Sequence, residues 1–277
     1  MSGDCSSSNR GFYVAGYGKA AHDYMAVRSA TDAVAFLVPH LRPGMQLLDC
    51  GCGPGTITLG LADIVAPGKV VGVDREPSQV ERARALADEY RVPNVAFDVA
   101  DLFRLPFPDA SFDVVVAHAV LMHVADRLAA LREFHRVLRP GGIVAVKDIK
   151  TDHQILEPST PLLREFLDLL DRARRHNGIP TSAPHRYRAL LREAGFIDVD
   201  VVANCVNHST PEAIQRVAAF HLGQARGESF QRTVLEQGWA DQERLDAMCT
   251  ELRAWAKHPD AFRVELWCAG LGRASGG

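Results

Sequence analysis

The chain of 277 residues is 47% hydrophobic and 23% charged, and its 31 Lys and Arg against 34 Asp and Glu leave a formal net charge of -3. Such a chain can bury a sizeable core without disulfide staples, and its composition excludes collagen-like, disordered and mini-protein scaffolds. No global positive field is present to hold a nucleic-acid backbone or an anionic membrane, so neither is an expected partner, with a homo-oligomer left open.

Residues 1–40 read as a polar, Ser-rich tail followed by a cap helix, its apolar face carried by Met25 to Leu41 and its end marked by Arg42-Pro43-Gly44. Short apolar runs then alternate with amphipathic stretches. Strands are expected at Gln46–Cys50, Val70–Val73, Asn94–Val99, Phe112–Ala117 and Ile143–Lys147, and helices at Thr56–Ile64, Pro77–Tyr90 and Ala125–Leu138. That rhythm over 41–150 implies a doubly wound α/β core, a mostly parallel sheet covered by helices on both faces.

In 151–277 the pattern turns helical, with expected helices at Thr160–Asn177 and Pro184–Ala194, a strand at Val199–Cys205, and a final strand at Phe262–Leu271. Between those two strands, about 211–260 read as a helical insertion, a natural substrate lid. The six cysteines are scattered, with Cys50 and Cys52 in C-x-C spacing, which fits a reducing compartment. No apolar stretch has signal-peptide or membrane-spanning length, and a cytoplasmic protein is expected.

The most informative stretch is Leu47-Leu48-Asp49-Cys50-Gly51-Cys52-Gly53-Pro54-Gly55-Thr56, a buried strand that runs through three glycines into a helix. Glycine is needed where backbone turns sharply or approaches a ligand, and the helix start offers free N–H groups. Asp74 ends the next strand 23 residues after Gly51, placed to grip two ribose hydroxyls with one carboxylate. A nucleoside-containing cofactor follows. The dinucleotide fingerprint G-x-G-x-x-G would need glycine where Thr56 stands, and Asp49 suits a cationic ligand better than a pyrophosphate.

These features resemble the class I S-adenosylmethionine (SAM)-dependent methyltransferases of the Rossmann-like fold, within them the ubiquinone and menaquinone methyltransferase-like group. The resemblance rests on LLDCGCGPGTIT, VVGVDREPSQVERAR, DLFRLPFPDASFDVV and EFHRVLRPGGIVAV, in that order over about residues 40 to 150. It implies a seven-stranded sheet with an N-terminal helical cap, SAM as cofactor and S-adenosylhomocysteine (SAH) as product. By the same resemblance Asp49, Gly51, Gly53 and Gly55 line the methionine and ribose part of SAM, Cys52 and Thr56 belong to the same loop, and Asp74 binds the ribose. Arg75 would flank the adenine, Asp101 would accept from its amino group, and Leu102 would offer a backbone N–H. His118 would contact the methionine moiety. In the cap, which also holds Tyr24, Arg28 is a candidate partner for the SAM carboxylate, or else part of a solvated helix face.

Methyl transfer from a sulfonium demands no particular side chain, because proximity in a dry pocket supplies much of the rate. A hydroxyl or amine acceptor would gain from a base, and His118, His123 and His153 lie beyond strand ends where an acceptor would sit. His135 and His221 fall within helices and read as packed. Asp148, Asp152 and His153 raise a metal reading that spacing alone does not support, and no metal is expected.

Phe166, Tyr187, Phe220, Phe230, Trp239 and Trp255, pooled with Leu156, Leu162, Leu163 and Leu170, allow an apolar pocket for an aromatic, polyketide or prenylated molecule. The stretch from Trp255 to Asp260 resembles bacterial relatives of secondary-metabolism type. The alternatives are a nicotinamide-dependent oxidoreductase, a quinone-biosynthesis C-methyltransferase, and a non-catalytic SAM-fold module.

Overall fold

The computed structural model describes residues 18–151, 154–179 and 184–276. Its centre is a sheet whose strands β1 (Leu47–Cys50), β2 (Val70–Asp74), β3 (Val95–Val99), β4 (Phe112–His118) and β5 (Leu138–Ile149) run parallel in the order β3-β2-β1-β4-β5. Register sets Leu48 opposite both Val71 and Val115, and Val116 opposite Ala145. All of β1 is buried and β4 is nearly so, which is why both read as continuous apolar runs without alternation.

Helices α3 (Thr56–Val65), α4 (Pro77–Tyr90) and α5 (Arg127–Val137) connect these strands. Leu61 and Val65 of α3 pack on one face with Leu47 and Val114, and Leu131 and Phe134 of α5 pack on the other with Leu48 and Val115. The sheet is completed by β8 (Phe262–Ala274), antiparallel to β5 from Ile143↔Arg273 to Ile149↔Trp267, and by β7 (Phe196–His208), antiparallel to β8. An additional short strand, β6 (Ile155–Glu157), pairs with Phe262–Val264 of β8 and makes the sheet eight-stranded rather than seven-stranded. Three residues are too few to register as a periodic signal.

The N-terminal cap departs from expectation. Instead of one helix across Met25 to Leu41, the chain forms α1 (Lys19–Ala26), α2 (Ala30–Ala33) and a 3-10 turn at Val38–His40. Ser29 restarts the helix, its hydroxyl accepting from Asp32 N–H at 3.2 Å and donating to the Asp32 carboxylate at 2.6 Å.

The C-terminal half contributes α6 (Pro161–His176), α7 (Tyr187–Glu193), α8 (Pro211–Ala225), α9 (Glu228–Glu236) and α10 (Gln242–Trp255), the last three filling the stretch expected to be helical. Phe166 and Leu170 of α6, Val217 of α8, Phe230 of α9 and Met248 of α10 build a core of their own, which Tyr24 of α1 joins. Thr160, Thr210 and Asp241 cap α6, α8 and α10 through side-chain oxygens. Among the described residues no helix is long and apolar enough to cross a membrane.

Candidate functional site

Parallel strands end together on one edge, and the loops leaving them enclose a cavity of about 1140 Å³ between that edge and the helices α1, α6 and α8. This volume slightly exceeds the roughly 300–1,000 Å³ of a pocket for one drug-sized ligand, so two molecules can share it.

At the β1 end, Gly51, Cys52, Gly53, Pro54 and Thr56 form the wall. Gly51 has φ +77°, and a Cβ there would stand 2.4 Å from Val120 Cγ2, so only glycine lets the loop pass beneath the segment after β4. Its N–H and that of Cys52 both donate to the Val73 carbonyl, at 2.7 and 3.0 Å. Beside them Asp74 closes the loop, accepting from Gly53 N–H and Glu76 N–H at 3.0 Å each. Burial raises its pKa, and the two N–H donors oppose the rise.

Arg75, Asp101 and Leu102 continue the wall, with Asp101 also accepting from Phe103 N–H at 3.0 Å. Gln79, 1% exposed on α4, lines the same end, and neither its amide oxygen nor its nitrogen has a partner within the protein. A ligand with hydroxyls for Asp74 and mixed donors and acceptors for Gln79 fits here, which are the requirements of a nucleoside.

Two expected cofactor residues are not on the wall. Asp49 turns away under the loop, where it is 3% exposed and accepts from Thr58 Oγ1 at 2.6 Å, and burial pushes its carboxyl up to about 6. Gly55 faces α4 and β3, where a Cβ would meet Ala83 Cβ at 2.9 Å and Phe97 Cζ at 3.1 Å. The lack of a Cβ here serves close packing of the turn.

His118 and His123 reach the cavity. His118 stacks on Trp267 with ring centroids 5.0 Å apart, and its Nδ1 has no partner within the protein. Burial, then the positive charges of Arg28 and Lys147, hold its pKa well below the usual histidine value. Burial, followed by Arg174 and other arginines, takes His123 down to about 3. Both rings are neutral near pH 7, and the surrounding cations oppose the protonation that a full general base requires. His153, like Asp152, lies outside the described residues. Asp148 is fully buried and accepts from Tyr187 Oη, and among the described residues no group of three or more His, Cys, Asp and Glu could hold an ion.

Tyr24 and Arg28 both line the cavity from the cap, the Arg28 guanidinium 5.6 Å from the ring centroids of Tyr24 and of Trp267. Of the pooled aromatic and leucine residues, Phe220 and Leu170 reach the cavity, whereas Phe166, Phe230 and Trp255 are consumed by the helical core and Tyr187 packs beneath the sheet.

The far end of the cavity holds residues that sequence reasoning missed: Arg174 on α6, His221 on α8, and Arg263, Glu265 and Trp267 on β8. A signal for the last three existed in Arg263-Val264-Glu265-Leu266-Trp267, because alternate strand positions share a face. Glu265, 2% exposed, accepts from Tyr24 Oη at 2.6 Å and Trp267 Nε1 at 2.9 Å, and pairs with Arg263 at 2.8 Å. Burial would raise its pKa, but Arg263 foremost, then His208 and Tyr24, hold it below the usual carboxylate range. His221 lies in α8 as expected, yet its position on α8 turns it to the cavity rather than leaving it merely packed.

Comparison with known proteins agrees with this geometry. A family model described as "Methyltransferase domain" matches residues 41–195. The Aspergillus luteorubrus protein named "Probable methyltransferase ltbC" is 30% identical over 276 residues, covering 92% of this chain and 95% of that protein. The 27-O-demethylrifamycin SV methyltransferase of Amycolatopsis mediterranei is 38% identical over 175 residues, 62% of this chain and 60% of that protein. Among solved structures, the YcgJ protein of Bacillus subtilis superposes with a TM-score of 0.60 at 22% identity, covering 88% of this chain and 99% of that one, a likeness of fold.

Proposed function

Because this chain belongs to the methyltransferase domain family, as a class I SAM-dependent methyltransferase, we propose that it methylates a hydroxyl of a small aromatic, polyketide or prenylated molecule in secondary metabolism. The relative named for 27-O-demethylrifamycin SV supports an oxygen acceptor of that kind. The observation that carries the site assignment is Asp74, clamped at 3.0 Å by Gly53 N–H and Glu76 N–H beside a turn that lines the cavity, where a Cβ on Gly53 would meet nothing nearer than Met25 Sδ at 4.0 Å. In this reading Asp74 holds the ribose diol, Gln79, Asp101 and Leu102 surround the adenine, and Arg28 meets the amino-acid carboxylate.

SAM supplies an activated methyl group on a positively charged sulfur. The protein's part is to bring an acceptor oxygen in line with that methyl and to exclude water. Helices α6 and α8 close the cavity as a lid, with Leu170 and Phe220 as its apolar contacts. His118, neutral and with Nδ1 free of protein partners, accepts a hydrogen bond from the acceptor hydroxyl and orients it. The cations that keep His118 neutral also favour an ionised acceptor oxygen, so the site promotes loss of the hydroxyl proton more than it demands a strong base.

Calorimetric titration with SAH, with NAD for comparison, tests the cofactor. Micromolar binding of SAH alone is expected, followed by transfer of label from SAM to hydroxylated aromatic acceptors. Binding of NAD, or silence toward both, would overturn the assignment.

A further inference from the structure

The acceptor end of the cavity carries more buried hydrogen-bond donors than the protein can satisfy. Arg263 is 2% exposed, donates through Nη2 to Gln154 Oε1 at 2.5 Å and pairs with Glu265 at 2.8 Å, yet among the described residues its Nε and Nη1 have no partner. Arg174, 6% exposed, pairs through Nη1 with Asp171 at 2.9 Å while its Nε has none. Glu265 does not supply the missing acceptors: its oxygens take Tyr24 Oη, Trp267 Nε1 and Arg263 Nη2, and His208 Nε2 lies 3.5 Å from Oε2.

A buried donor without an acceptor is costly, more so when it is charged, and two guanidiniums on one cavity wall concentrate that cost. They also lie close enough for the charge of Arg263 to act on Arg174, adding to the effect of burial. Next to them His221, 2% exposed, directs Nδ1 at Gln224 Oε1 at 2.9 Å and leaves Nε2 without a partner. Since Nδ1 faces an acceptor, it carries the proton and Nε2 is itself an acceptor.

We propose that the methyl acceptor carries a carboxylate, docked on the free N–H groups of Arg263 and Arg174 while its methylated hydroxyl stands toward His118. A carboxylate offers only acceptors, with two oxygens to take N–H groups from two guanidiniums at once. The docked group is an anchor and not the methylated atom, since two guanidiniums withdraw the electron density a nucleophile needs. Phe220, Leu170 and Trp267 border the same space and suit an aromatic or unsaturated body behind the acid. The inference rests on the methyltransferase reading for the statement that this occupant is the acceptor; the anion site itself does not depend on it.

The test is calorimetry with 1-hydroxy-2-naphthoate and its neutral amide, each titrated with and without saturating SAH. The carboxylate is expected to bind at least tenfold more tightly than the amide. Arg263→Lys and Arg174→Lys keep a positive charge beside Glu265 and Asp171, so the fold is spared, but remove the free N–H donors, and each should bring the ratio near one while SAH affinity stays within twofold. Equal affinity for acid and amide in the parent protein, or a ratio that survives both substitutions, overturns the proposal by showing that water suffices for these donors. Failure of SAH to bind would strike the cofactor assignment instead, and the acid-to-amide ratio measured without SAH still decides the anion site.

Discussion

Replacing Gly51 by alanine tests the turn on which the cofactor loop depends. The new Cβ would fall 2.4 Å from Val120 Cγ2 and 3.1 Å from Val120 Cγ1, at a backbone φ of +77°. The left-handed backbone costs about 1–2 kcal/mol for a residue with a side chain, and forcing a methyl into an occupied position costs about 1–3 kcal/mol more. Gly51→Ala should therefore destabilise the protein by roughly 2–5 kcal/mol. Val120→Ala removes both clashing methyls and leaves Val120 Cβ at a tight but tolerable 3.3 Å. The double variant should recover the steric part and keep the backbone part, a coupling of at least about 1 kcal/mol measurable by urea unfolding. Because the Gly51 and Cys52 N–H groups anchor the loop to the Val73 carbonyl, SAH affinity should fall at least tenfold in Gly51→Ala and partly return in the double variant. A change in stability under about 0.5 kcal/mol, the size of an inconsequential surface substitution, or absence of coupling to Val120, would refute the steric account.

Asp74→Ala should weaken SAH binding at least 100-fold by calorimetry with the far-ultraviolet dichroism unchanged, since each hydrogen bond to a charged group contributes about 1.5–3 kcal/mol; unaltered affinity would end the ribose assignment. Asp148 gives a pH signature: burial pushes its carboxyl up to about 7 from 3.8, against the opposing effect of the Tyr187 hydroxyl. A raised folded-state pKa means that its contribution to stability is full below about pH 4 and is lost as pH rises through about 7. Asp148→Asn removes that loss, so the variant's melting temperature minus the parent's should climb from pH 4 to pH 8. A difference that stays flat or falls would contradict the buried, protonated state.

The core strands and the helices between them were legible because their causes are local. A parallel strand covered on both faces must be largely apolar, as Phe112 to Ala117 is, and a turn whose positive φ leaves no room for a Cβ, as at Gly51, demands glycine. Pro77 to Tyr90 forms a helix over the expected residues, since Pro at its first position and its ending at Arg91 in a left-handed conformation are both written nearby in the chain. Asp74 was legible for the same reason, standing at a strand end one crossover after the glycine loop.

Asp49 and Gly55 show where local reasoning stopped. Both belong to the loop motif, but which side of the loop each faces depends on Thr58, Ala83 and Phe97, which pack against it from other elements. By itself the sequence determined the fold class, the glycine turn after β1 and the place of Asp74 at the end of β2, each specified by residues within one strand-turn-helix unit. Only the tertiary structure decided which side chains meet at the far end of the cavity. Arg174, His221 and Arg263 reach it from α6, α8 and β8, and their unfilled hydrogen bonds exist only because burial removes the water that would otherwise satisfy them.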